Sequence, residues 1–285
     1  MKIKLKQPTY EVVLPTTGKK VRCKPLTFDL MRYLEQTDAF TLTNVLDITY
    51  RLLFERIENA KDYWKDYGEF IATENDTDLE AVAYGVICAT YKEPTDITLT
   101  CPYCNTPYPI KVDFANLITG LRVNEKGEPI PLVELDVIKD YGIKLYLTHY
   151  PRILKILQTF NYLEKIEGLR STTLEDYAKV LIKYPYIASV LHIEKIEDEE
   201  GNSVVYDFNK TTTLKEIIEV SRNLDVNLHS KIADAVANPP YYIEAKLKFV
   251  CTNRNCSHFN KPIETRYSFL QDFFLQVASA LSNNL

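Results

Sequence analysis

The chain has 285 residues, a formal net charge of −5, 46 % apolar residues and 26 % charged residues, the balance of a soluble globular protein long enough for one large domain or two of ordinary size. Only eight glycines leave little scope for phosphate-cradling loops, and the acidic balance argues against a global field that would draw the chain to nucleic acid. No run approaches the roughly 20 apolar residues of a membrane span, and Met1 to Gln7 has lysines with no apolar core behind them, so neither a span nor a secretory signal is expected.

In chain order, Lys2, Lys4 and Lys6 alternate as the wet face of a strand would. Glu11 to Leu14, the turn glycine Gly18 and the alternating run that follows it as far as Lys24 read as a β-hairpin. Pro25 breaks it, and a helix over Phe28 to Leu34 is expected to follow. Thr43 to Ile57 carries Val45, Ile48, Leu52 and Leu53 at helical spacing, and Asp78 to Tyr91 carries Leu79, Val82, Val86, Ile87 and Cys88, with Asp76 to Asp78 as candidate caps. Ile97, Leu99 and Cys101 then alternate with Thr98 and Thr100. The chain turns through Pro102-Tyr103-Cys104 and returns over Tyr108 to Phe114.

The pattern then repeats. Lys126 to Pro131 reads as a linker, Val133 to Ile138 and the run after Gly142 as a second hairpin, and Arg152 to Leu157 as the start of its helix. Leu174 to Lys183, Leu214 to Asn223 and Val226 to Asn238 are the helices of the second copy, the last ended by Pro239-Pro240. Ala245, Leu247, Phe249 and Cys251 alternate with Lys246 and Lys248, a turn passes through Cys256, and Ile263 to Phe269 returns. The leading cysteines lie farther apart than the opening glycines by about 26 residues, which an added hairpin within 191–208, turning at Asp198 to Asn202, accounts for. The expected fold is α+β and internally duplicated: residues 1–125 form a first repeat and 126–285 a second, each with an opening β-hairpin, a helical middle and a closing knuckle hairpin.

Period-2 alternation puts each leading cysteine on the apolar face of its strand, so Cys101, Cys104, Cys251 and Cys256 are expected to converge on one structural Zn2+ in a zinc-ribbon-like site. In a reducing compartment, paired cysteines serve more often as metal ligands than as disulfides. The second pair is spaced by four residues rather than two, which leaves His258 as an alternative to Cys256. A redox role for Cys101/Cys104 would need a strand-to-helix junction, whereas extended residues follow. Four cysteine ligands leave no vacant position for water, so metal-assisted catalysis is not expected. Cys23 and Cys88 read as packing residues, and His149, His192 and His229 lack metal-ligand spacing.

Motifs for phosphate loops, dinucleotide binding, serine nucleophiles and metalloproteases are absent, and Asp198-Glu199-Glu200 reads as a solvated tip. Twenty tyrosines and twelve phenylalanines suit either ordinary packing or interfaces. Phe269 to Phe274 opens an apolar C-terminal helix continuing through Val277, Leu281 and Leu285.

Three stretches carry a resemblance. They are Leu14-Pro15-Thr16-Thr17-Gly18-Lys19-Lys20-Val21-Arg22-Cys23-Lys24-Pro25-Leu26-Thr27; Thr98-Leu99-Thr100-Cys101-Pro102-Tyr103-Cys104 with Tyr108-Pro109-Ile110-Lys111-Val112-Asp113; and the late cysteine turn ending in Asp272-Phe273-Phe274. Together they resemble the baseplate proteins of T-even-type contractile bacteriophages, in the hub or hub-assembly group. That resemblance implies a virion protein of the tail baseplate, made in the host cytoplasm. It would be non-enzymatic and would bind other phage tail and baseplate proteins within a multi-subunit assembly, with no nucleic acid expected as partner. An assembly chaperone of the same group, absent from the finished particle, is the second reading, and a zinc-ribbon nucleic-acid binder the third.

Overall fold

Tyr10–Val13 (β1) and Lys20–Cys23 (β2) pair antiparallel in a hairpin whose turn is closed by Leu14 and Lys19. Gly18 adopts φ +70, and a Cβ there would lie 2.6 Å from the carbonyl oxygen of Asn124, so the turn demands glycine twice over. In this computed structural model residues 7–27, 41–167, 184 and 186–282 are described. The helices expected over Phe28 to Leu34 and Leu174 to Lys183, the strand face of Lys2, Lys4 and Lys6, and Leu285 lie outside the described residues.

Leu42–Arg56 (α1) and Asp76–Thr90 (α3) occupy the expected helical stretches. The cap of α3 is Asn75 rather than Asp76 to Asp78: its side chain accepts from the Asp78 N–H. Asp78 instead turns its carboxylate to the backbone N–H and hydroxyl of Thr16, locking the hairpin turn onto the helix. Between them, Tyr67–Thr73 (α2) carries Phe70, which packs edge-on against Trp64. Thr95–Thr100 (β3) and Pro107–Val112 (β4) form the first knuckle hairpin, in register from Thr95 opposite Val112 to Thr100 opposite Pro107.

Ile118–Arg122 (β5) leads to the loop that includes residues 126–131. Val133–Asp136 (β6), the one-turn helix Ile138–Tyr141 (α4) and Ile143–Leu147 (β7) follow, so Ile138 ends the expected strand by starting a helical turn. Next come Ile153–Glu167 (α5), Tyr186–His192 (α6), Ile193–Asp198 (β8), Ser203–Val205 (β9), Thr211–Arg222 (α7) and Val226–Val236 (α8). The hairpin expected within 191–208 is β8–β9, except that Leu191 and His192 finish α6. The chain ends with Tyr242–Val250 (β10), Pro262–Tyr267 (β11) and Phe269–Ser282 (α9).

The sheets explain which parts meet. β6, β7, β8 and β9 form an antiparallel sheet in that order, and α6, α7 and α8 cover it with Val190, Ile217, Ile218, Leu228 and Ile232. β10 lies between β11 and β5, antiparallel to both, so a strand near residue 120 is completed by one near residue 243. The larger apolar core accordingly mixes Val21, Leu53, Val82, Val86 and Phe114 with Phe160, Ile243, Leu247, Phe269 and Phe273. Glu80 on α3 fastens the last helix: its carboxylate accepts the N–H groups of Phe269 (2.7 Å) and Leu270 (2.9 Å) and the Ser268 hydroxyl, satisfying donors that a helix start leaves open. Among the described residues no helix is long and apolar enough to cross a membrane.

Candidate metal centre

Each knuckle is a tight reversal between paired strands. In the first, the Cys101 N–H donates to the Thr106 carbonyl and the Asn105 N–H to the Cys101 carbonyl, both at 2.9 Å. Asn105 adopts φ 55, a left-handed conformation that asparagine tolerates better than most side chains. In the second, the Cys256 N–H donates to the Asn253 carbonyl (3.0 Å) and the Asn260 N–H to the Cys251 carbonyl (2.7 Å). Asn260 is again left-handed, at φ 57.

Alternation in β3 and β10 points Cys101 and Cys251 inward, and both are wholly buried. The structure brings all four expected cysteines together: their sulfurs lie within 4.8 Å of one another. Cys101 Sγ is 3.9 Å from Cys256 Sγ, and Cys104 Sγ is 3.8 Å from Cys251 Sγ. These separations are far beyond a disulfide bond of about 2.05 Å, and all four are free thiols. They fit a metal instead: four sulfurs at about 2.3 Å from a tetrahedral ion lie about 3.8 Å from each other. Phe249 and Ile263 close the apolar side of the cluster, with Leu99, Tyr108 and Ile110 packed against it.

The electrostatics suit a shared cation. The Thr106 hydroxyl beside Cys104 holds that thiol down to about 6. At Cys256 the His258 backbone N–H acts in the same direction, but desolvation and the neighbouring cysteines outweigh it and push the thiol up to about 12. Crowded thiols resist ionising together unless a positive ion sits among them.

His258 contributes its backbone N–H, 3.4 Å from Cys256 Sγ. Its ring lies outside the group of four and stacks on Tyr103, with centroids 3.4 Å apart and planes 8° from parallel. Sequence reasoning missed the polar groups around the sulfurs. The Tyr108 hydroxyl is 3.2 Å from Cys251 Sγ and receives the N–H groups of Thr252 and Asn253, while the Asn253 side chain reaches Thr106 Oγ1 at 2.9 Å. The available signal was Tyr108 sharing the inward face of β4 with Ile110 and Val112.

The other histidines are engaged elsewhere: His149 with the Val236 carbonyl, His192 with the Thr148 carbonyl and His229 with Ser189. Ser189 is 2 % exposed, so its 2.7 Å contact with His229 faces no open site. Cys23 and Cys88 are buried, and burial pushes their thiols up to about 12 and about 11 respectively, as expected for inert packing groups.

No curated protein and no solved structure matches the chain. A family model described as T4 bacteriophage base plate protein matches residues 7–275, a span that takes in both cysteine pairs, both sheets flanking them and the first half of α9. A match over so much of the chain identifies it: the protein belongs to the family of T4-type bacteriophage baseplate proteins.

Proposed function

We propose that the protein is a non-enzymatic structural component of a contractile-tail baseplate, in its hub region, that binds other tail proteins and is braced by a structural Zn2+ on Cys101, Cys104, Cys251 and Cys256. The observation that carries the metal is the meeting of two cysteine pairs, far apart in the chain, at sulfur separations matching a tetrahedral ion. When bound, zinc supplies a cross-link with all four positions filled by sulfur, which suits bracing rather than hydrolysis. The hairpins themselves have a small apolar cluster, dominated by Phe249, Ile263 and the cysteines, so a metal adds stability where side-chain burial is thin.

The same reading takes the chain as a duplication, with repeats 1–125 and 126–285. Its support is local. Each copy opens with a hairpin, β1–β2 or β6–β7, and closes with a knuckle hairpin, β3–β4 or β10–β11, whose turn ends on a left-handed asparagine. The β8–β9 hairpin is the addition to the second copy.

Elemental analysis of the purified protein tests the metal, with one zinc per chain expected. Mass spectrometry of purified virions tests the role. A structural component is present in fixed copy number in intact tails, whereas an assembly chaperone is absent from them and found with unfinished baseplates in infected cells.

A further inference from the structure

Hydrogen-bond donors around the four sulfurs can be assigned one by one. A tyrosine hydroxyl has one proton to give and lone pairs to receive. Tyr108 Oη receives the backbone N–H groups of Thr252 at 2.9 Å and Asn253 at 3.0 Å. Its own proton is therefore left for Cys251 Sγ, 3.2 Å away. A parallel chain reaches the other knuckle. Asn253 Oδ1 accepts the Asn255 N–H at 3.0 Å, which turns the Asn253 amide nitrogen toward Thr106 Oγ1 at 2.9 Å. In the free thiol Cys104 Sγ donates to Thr106 Oγ1 at 3.3 Å; once Cys104 is a thiolate ligand it has no proton to give, and the Thr106 hydroxyl, already accepting from Asn253, donates to it instead.

Both contacts link the hairpins to each other. Tyr108 stands on β4 and grips the backbone of the second knuckle, while Asn253 of the second knuckle grips Thr106 beside the first. We infer that Tyr108 and Thr106 are positioning residues of the metal centre, donating to Cys251 and Cys104 respectively and setting how firmly those sulfurs hold the ion. The inference rests on the metal reading above. Neither hydroxyl belongs to the four sulfurs that would hold the ion. Each fixes the direction of one sulfur and draws off part of its negative charge, the work that hydrogen-bonded groups behind metal ligands perform elsewhere. Four thiolates around a divalent cation leave an excess of two negative charges, and the hydroxyls of Thr106 and Tyr108 and the His258 backbone N–H stand within reach of three of the sulfurs to offset it.

The test uses full-length chain loaded with zinc, and separately with cobalt(II). Tyr108→Phe deletes the hydroxyl and keeps the ring that packs 5.5 Å from Phe249; Thr106→Val does the same for the second donor. Zinc transfer to a chromophoric chelator should be about 10–100-fold faster from Tyr108→Phe than from wild type, with Thr106→Val also faster. The sulfur-to-cobalt charge-transfer band should shift in both variants, a signature that loss of packing alone does not produce. If Tyr108→Phe does not fold, Thr106→Val decides by the same two measurements. Wild type that holds metal, with variants releasing it at the wild-type rate and showing an unshifted cobalt band, overturns this inference alone. Wild type that takes up neither zinc nor cobalt overturns the metal reading together with it.

Discussion

In the first knuckle Asn105 follows Cys104 directly, whereas in the second Ser257, His258 and Phe259 separate Cys256 from Asn260. Both asparagines nevertheless return an N–H to the carbonyl of the leading cysteine, and both sit at nearly the same left-handed φ. The extra residues of the second turn are taken up by additional backbone bonds, Phe259 to Cys256 and Lys261 to His258, without disturbing how the chain leaves. Two turns of different length thus share their exit geometry and not the spacing between their cysteines. Spacing alone suggested a loosened second site with His258 as a rival ligand. In the structure the His258 ring stacks on Tyr103.

That comparison can be broken most severely at a sulfur. Cys104→Ser should lose the metal, measured as zinc per chain, and loosen both hairpins together. At free zinc about 1,000-fold above the dissociation constant, the lost stabilisation is about 4 kcal/mol in denaturant unfolding. Amide hydrogen exchange should rise in β10–β11 as well as in β3–β4; a rise confined to β3–β4 would contradict a shared centre. A milder break is at the exits. Asn105→Ala and Asn260→Ala each place a side chain poorly suited to positive φ, at a cost of about 1–2 kcal/mol, while glycine at either position should be tolerated. Equal costs at the two sites would sharpen the equivalence, and a loss at one alone would dissolve it. The smallest effect is expected from His258→Ala. Metal content should be unchanged and stability lowered by about 0.5–1.5 kcal/mol through the lost stack; a chain emptied of zinc would make His258 a ligand after all.

The cysteine centre was legible because two local signals agree, strand alternation that turns a cysteine inward and a short polar turn that follows it. Helices α1, α3, α7 and α8 were legible for a similar reason, since each carries its apolar residues at helical spacing. Strand β5 was not. Ile118-Thr119-Gly120-Leu121-Arg122 has no clear alternation, Leu121 is half exposed, and the strand exists because β10 pairs with it. The short helix α2 was missed as well, its sole fully buried residue being Phe70, held by Trp64 and Phe54 from outside the helix. Most hidden was the sharing of one core by early and late elements. Patterns within a helix such as α9 say which face is apolar, yet Phe269 and Phe273 settle against α1 and α3 through contacts no local pattern encodes.

The pairing of β5 with β10 has a consequence for synthesis. At translation speeds of roughly 5–20 residues per second, the partner of Leu121, Ile243, emerges from the ribosome on the order of ten seconds after it. During that interval Val82, Val86 and Phe114 lack the late residues that cover them, leaving a nascent chain with greasy surface on view. A ribosome-bound chain halted near residue 230 should therefore be cut readily by protease within α3, and one extended past α9 should resist.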